Sequence, residues 1–169
     1  MTGLRTVQVD IRNHQYWIQD EAPDIDPSMY RNFNGLVSTR GGSHAIIMTG
    51  TAHGTIAVGF QSFEAEPALD LDPWDDVVEV SMRFRSPRGG LMQPDGTHDA
   101  LYHLDRISAG GPGDYRVRIH ARGRDRAAAL PEFTEPIVEE HLVQSWPAPT
   151  ADEIRHKLTD ATGQNIRAR

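Results

Sequence analysis

The chain has 169 residues, 38% hydrophobic and 24% charged, the size and composition of one ordinary globular domain with a real core. It contains no cysteine, which excludes disulfides, thiolate zinc sites, iron–sulfur clusters and cysteine nucleophiles together. A net charge of −7 argues against direct nucleic-acid binding, which positive charge and counterion release drive, and favours a basic protein partner.

No apolar run approaches the roughly 20 residues that cross a bilayer, and Met1 to Asp10 lack the charged-then-apolar pattern of a secretory signal. A cytoplasmic chain without a membrane partner is expected. Val7, Val9 and Ile11 alternate along a first strand, and His14 to Ile18 form an aromatic-rich second one. Asp20 to Pro27 then carries four carboxylates, Asp20, Glu21, Asp24 and Asp26, with two prolines, which reads as a loop. His44 to Thr49 and Thr55 to Phe60 are two strands joined through Gly50 and Gly54.

The segment from Phe63 to Glu79 carries Glu64, Glu66, Asp70, Asp72, Asp75, Asp76 and Glu79 and no basic residue, so it repels itself and stays at the surface. Asp76 to Arg85 follows as a strand with Val78, Val80, Met82 and Phe84 on the core face and Glu79, Ser81, Arg83 and Arg85 on a face expected to be wet. Leu91 to Gln93 is a short segment framed by prolines and glycines, and Ala100 to Ile107 is a further strand. The turn Gly110–Asp114 launches Tyr115 to Gly123, with Tyr115, Val117, Ile119 and Ala121 inward and Arg116, Arg118, His120 and Arg122 outward. Ile137 to Trp146 is the last strand. Thr150 to Glu153 has capping-box spacing, and Ile154, Leu158 and Ala161 form a thin stripe on a helix reaching about Thr162.

Many short strands between glycine and proline turns, with helix confined to the end, predict an all-β fold. The expected form is an antiparallel two-sheet β-sandwich, jelly-roll-like or C2-like, over residues 1–149, with a C-terminal helix and tail over 150–169.

Catalytic signatures are missing from the sequence. The eight histidines form no H-x-H or H-E-x-x-H unit, and G-x-S-x-G, S-x-x-K and phosphate-loop patterns do not occur. The acidic residues lack the interleaved apolar neighbours that would raise a carboxyl pKa for acid–base work. No catalytic residue, metal ligand or cofactor is therefore assigned, and a non-enzymatic chain is expected. Arg83, Arg85, Arg116, Arg118, Arg122 and Arg124 read as a solvated basic face balanced by Glu79, Asp114 and Asp125.

The order of segments resembles the DNA-entry nuclease inhibitor family, also called competence protein J. The matching features are the strand His14-Gln15-Tyr16 before an acidic-proline loop, the glycine-spaced strands ending Ile56 to Phe60, the strand Val77 to Phe84, the turn and strand Gly113 to Val117, and the closing strand near Glu140 to Val143. Together they span about Val7 to Trp146; the arginine-rich strands and the segment from Thr150 onward fall outside the resemblance. What the resemblance implies is a non-enzymatic protein that binds and restrains a metal-dependent, sequence-nonspecific DNA nuclease. Glu64, Glu66, Asp70, Asp72, Asp75 and Asp76 would then mimic phosphates in a basic cleft, with Trp74 as an aromatic anchor. Asp20, Glu21, Asp24 and Asp26 form a secondary contact. The alternative is a small-ligand or metal-binding β-sandwich with a pocket lined by Trp17, Tyr102, His103 and Trp146.

Overall fold

Side-chain alternation sets the strands and their register. In β6 (Asp76–Phe84), Val78, Val80 and Met82 lie opposite Ile119, Val117 and Tyr115 of the antiparallel β8 (Gly113–Arg122), so both strands give one apolar row to the same face. The computed structural model describes residues 3–31, 34–92 and 106–169. Its larger sheet has the order β1 (Arg5–Ile11), β5 (Gly54–Ser62), β9 (Glu140–Pro147), β8, β6 and β10 (Ile154–Leu158). The smaller sheet runs β3 (Val37–Thr39), β4 (His44–Met48), β2 (Gln15–Gln19) and β7 (Gly90–Met92). Neighbours are antiparallel except β5 and β9, which run parallel.

The core lies between the sheets. Val9, Ile56, Val58, Val78, Val117, Ile119 and Val143 of the larger sheet pack toward Tyr16, Ile18, Ala45, Ile47 and Leu91 of the smaller. This is the all-β, two-sheet architecture that the patterning predicts, with a short helix at its C-terminal end.

That helix sits later than its sequence signal. Residues 154–158, where Ile154 and Leu158 suggest a helical stripe, instead form β10 and pair with β6. The exposed N–H and C=O groups along the β6 edge offer a ladder that outweighs a weak local helix preference. The helix α2 (Ala161–Arg167) begins after Asp160, whose carboxylate accepts from the Gly163 N–H at 2.6 Å and caps it. A second short helix, α1 (Arg124–Ala128), follows β8. The strand expected over 100–107 falls mostly outside the described residues; Ile107 itself is buried.

Candidate partner interface

The middle of the polar faces of β6 and β8, from Glu79 and Ser81 across to Arg116, Arg118 and His120, is roofed rather than wet. Register puts Glu79 directly across from Arg118, with Arg116 one pair further along, across from Ser81. Glu79 Oε1 accepts from Arg116 Nε at 2.8 Å, and its Oε2 accepts from Arg118 Nε at 3.1 Å and faces His156 Nε2 at 3.1 Å. Arg116 also donates to the Ser81 hydroxyl and to the Ala151 and Asp152 carbonyls, while Arg118 donates to the Pro67 carbonyl and to Glu66. The Arg118 guanidinium lies 4.8 Å from the Trp146 ring centroid.

The expected solvated arginine face is thereby corrected. Arg83 and Arg85 are exposed and Arg122 is half-buried, but Arg116, Arg118 and Arg124 are buried. Arg116 and Arg118 are covered by segment 63–75, which crosses from the end of β5 to the start of β6 over the sheet, and by residues 150–152 at the β10 side, whereas Arg124 is enclosed by Asp76, Asp160 and the Gly35 carbonyl.

Segment 63–75 is fastened at several points. Arg118 holds Glu66 at 3.0 Å and the Pro67 carbonyl at 3.2 Å, and Lys157 Nζ donates to the Leu71 carbonyl at 3.1 Å. Trp74 lies with its ring 5.3 Å from His120, and the Arg122 guanidinium stands 5.3 Å over it. The Asp75 carboxylate accepts from the Gly123 N–H at 3.0 Å. Glu64, Glu66, Asp70 and Asp72 stay exposed, whereas Trp74 and Asp75 are half-buried. Fixed carboxylates of this kind meet a partner without first losing loop entropy.

Asp76 does not belong to that surface. It is fully buried, its Oδ2 accepting from Arg124 Nη2 at 2.8 Å and its Oδ1 from the Thr159 and Asp160 N–H groups. Of the secondary acidic group, Asp20 is likewise withdrawn from the surface, whereas Glu21, Asp24 and Asp26 are exposed. Asp20 is buried and accepts from the Arg85, Ser86 and Glu21 N–H groups and the Ser86 hydroxyl. Burial alone would raise its carboxyl, but these bonds outweigh burial and hold it below the ordinary value. Glu21 pairs with Arg88, Asp24 pairs with Arg85, and Asp26 accepts from the Ser28 N–H to open a 3₁₀ turn over Pro27–Tyr30. This loop is stitched to the β6–β7 connection by arginine, and its charge is largely answered from within the chain.

A further polar cluster escaped the sequence reading because its members lie far apart in the chain. Tyr16 Oη is 3.1 Å from His141 Nδ1, and His141 Nε2 is 2.9 Å from Glu139 Oε1. The same carboxylate accepts from the Gly50 and Thr51 N–H groups and from the Thr51 hydroxyl. Burial would raise the Glu139 carboxyl, yet His141 and Thr51 hold it below the ordinary value. Tyr16, Glu139 and His141 are each at most 2% exposed, so the cluster clamps the β4–β5 loop against β9 and offers no surface to a substrate. The spacing Glu139-x-His141, which places two alternate residues on one strand face, was the available clue.

The other histidines are dispersed. His44 lies against Gln19, His53 against Glu132 and His156 against Glu79. Among the described residues, no three His, Asp or Glu side chains converge as metal ligands. Of the alternative pocket, Trp17 lies in β2 and Trp146 in β9, while Tyr102 and His103 fall outside the described residues.

His120 gives the covered face a pH dependence. Its Nδ1 sits 3.1 Å from the Leu142 carbonyl, and burial, with Arg118 nearby, depresses its pKa from 6.5 to about 4. Between those values the unfolded chain binds a proton that the folded chain refuses, so stability is complete above pH 6.5 and is lost as pH falls toward 4. The shift corresponds to roughly 3 kcal/mol. Urea unfolding across this range should show that loss, and His120→Asn, which removes the titrating ring, should flatten it.

No family model matches the chain, and no curated protein matches it in sequence. Among solved structures, the protein of crocagin biosynthetic gene J is 16% identical, with a TM-score of 0.49 over 88% of this chain and 100% of its own. ComJ from Bacillus subtilis, an inhibitor of the DNA degrading activity of NucA, is 8% identical, with a TM-score of 0.57 over 85% of this chain and 96% of ComJ. Over most of its length this chain therefore shares the two-sheet fold of the ComJ structure, at a remote distance in sequence.

Proposed function

We propose that the chain is a non-enzymatic binding protein that restrains a basic partner, a DNA-degrading nuclease, through segment 63–75. The observation that carries this reading is the exposure of Glu64, Glu66, Asp70 and Asp72 on a segment fastened to the sheet by Arg118, Lys157 and Trp74. A nuclease cleft shaped for a polyanion is basic, and a rigid row of carboxylates can occupy it in place of phosphates. The shared fold with ComJ, described as an inhibitor of the DNA degrading activity of NucA, is consistent with the same use of the scaffold.

The test uses the DNA-degrading nucleases of the source organism, each purified with its catalytic residue disabled and titrated against the full chain. One of them should bind, with affinity falling as salt rises. Reversing Glu64, Asp70 and Asp72 to lysine should weaken that binding by about tenfold or more and flatten its salt dependence, because several rim charges act together. These residues are exposed, so the melting temperature should hold. Binding that is indifferent to the triple reversal, or absent for every nuclease, defeats the reading.

A further inference from the structure

Segment 130–137, between α1 and β9, presents the most exposed large apolar side chain among the described residues: Phe133, at 72%. Its φ of 57° is a left-handed conformation that phenylalanine rarely adopts. The Phe133 N–H donates to the His53 carbonyl at 2.9 Å, and the His53 ring is in turn tied to Glu132 at 3.1 Å. A strained backbone that fixes an aromatic ring in water contributes nothing to the core, and such strain concentrates at binding sites.

Beside the ring lies a groove of about 460 Å³. Gln8 of β1 and Thr55 of β5 contribute to its lining, and Phe133, Pro136 and Ile137 supply apolar lining, with Glu135 among them. The Thr55 hydroxyl that lines it donates to Asp10 at 3.1 Å. Among the described residues, no lysine or arginine lines the groove.

We infer that this groove receives a lysine or arginine side chain from a protein partner; that the donor is a protein rests on the reading above. Such a side chain couples an apolar stem to a cationic head, and the groove offers the matching sequence of apolar wall, aromatic face and carboxylate. A wholly apolar occupant would cover Glu135 without giving it a partner, which costs free energy. The net charge of −7 favours the approach of basic surfaces to the chain as a whole.

Nα-acetyl-arginine amide and Nα-acetyl-norleucine amide are the probes, each titrated into the isotope-labelled full chain while the Phe133 ring and the Ile137 methyl groups are followed by NMR. The arginine probe should shift both signals, saturably, and the norleucine probe should shift them less. Phe133→Ala and Glu135→Gln, both at exposed positions, should each weaken the arginine probe about two- to fivefold with the melting temperature unchanged. An equal response to norleucine, or arginine shifts that avoid these residues, overturns the inference. Seating of the arginine probe with no nuclease bound would keep the groove and remove the nuclease; the reverse pattern would remove the groove alone.

Discussion

Arg124→Met should cost about 3–5 kcal/mol of folding stability, the amount expected when one side of a buried ion pair is removed. Arg124 is fully buried at the start of α1. Its Nε donates to Asp160 Oδ2 at 2.6 Å and its Nη2 to Asp76 Oδ2 and Asp160 Oδ1, both at 2.8 Å. Its Nη1 donates to the Gly35 carbonyl at 2.7 Å, just ahead of β3. One guanidinium therefore joins β6, the cap of α2 and the smaller sheet, and Arg167, 3.8 Å from Asp76, balances the second carboxylate. Methionine matches the length of the aliphatic stem but leaves two buried carboxylates facing one another. Urea unfolding would measure the loss; a change below about 1 kcal/mol would mean that water reaches the cluster and screens it.

The same geometry decides how the acidic run must be handled. Asp72→Lys alters an exposed position, whereas Asp76→Lys would place a cation against buried Arg124 and unfold the chain before any partner is tested. Asp72 and Asp76 belong to one acidic run, although Asp76 already opens β6 on the alternation of the inward Val78 and Val80. What further distinguishes them is Arg124, 48 residues further along, which the fold delivers to Asp76 alone. Charge runs therefore revealed that an acidic surface exists, but which carboxylates compose it depended on long-range pairing.

The inner faces of β6 and β8 were legible because alternation of valine, isoleucine and aromatic residues reports a buried row directly. Alternation also shows that the opposite face differs in chemistry, and there the inference to exposure failed. Glu79, Arg116 and Arg118 are polar yet buried, since they satisfy one another and the carbonyls of the covering segments. The C-terminal misreading has a related origin: the i, i+4 pair Ile154 and Leu158 fits a helix, but β6 presented a free edge that no local pattern discloses. Asp160, the residue that does cap α2, lies just beyond Leu158 and carries the correct signal, an aspartate at the N-cap.

Glu79→Ala should have a comparable effect, about 3–5 kcal/mol, with a consequence at the interface that Arg124→Met does not share. Without Glu79, Arg116 and Arg118 keep buried charges, at 4% and 0% exposure, with carbonyls, Ser81 and the exposed Glu66 as their remaining partners. Arg118 is the residue that fastens Glu66 and Pro67, so the released guanidinium will turn toward water and carry that anchor with it. Hydrogen exchange should accelerate selectively over residues 63–75 and 150–152, and capture of a basic partner should weaken although every exposed carboxylate remains. Burial would raise the Glu79 carboxyl, but His156, Arg116 and Arg118 outweigh burial and hold it below its ordinary 4.5. Its contribution is therefore complete above pH 4.5 and lost as pH falls through the lower folded value, so the wild-type advantage over Glu79→Ala should shrink in acid. Unchanged exchange over 63–75 in a destabilised Glu79→Ala protein would show that Trp74 and Lys157 hold the segment without the arginine network.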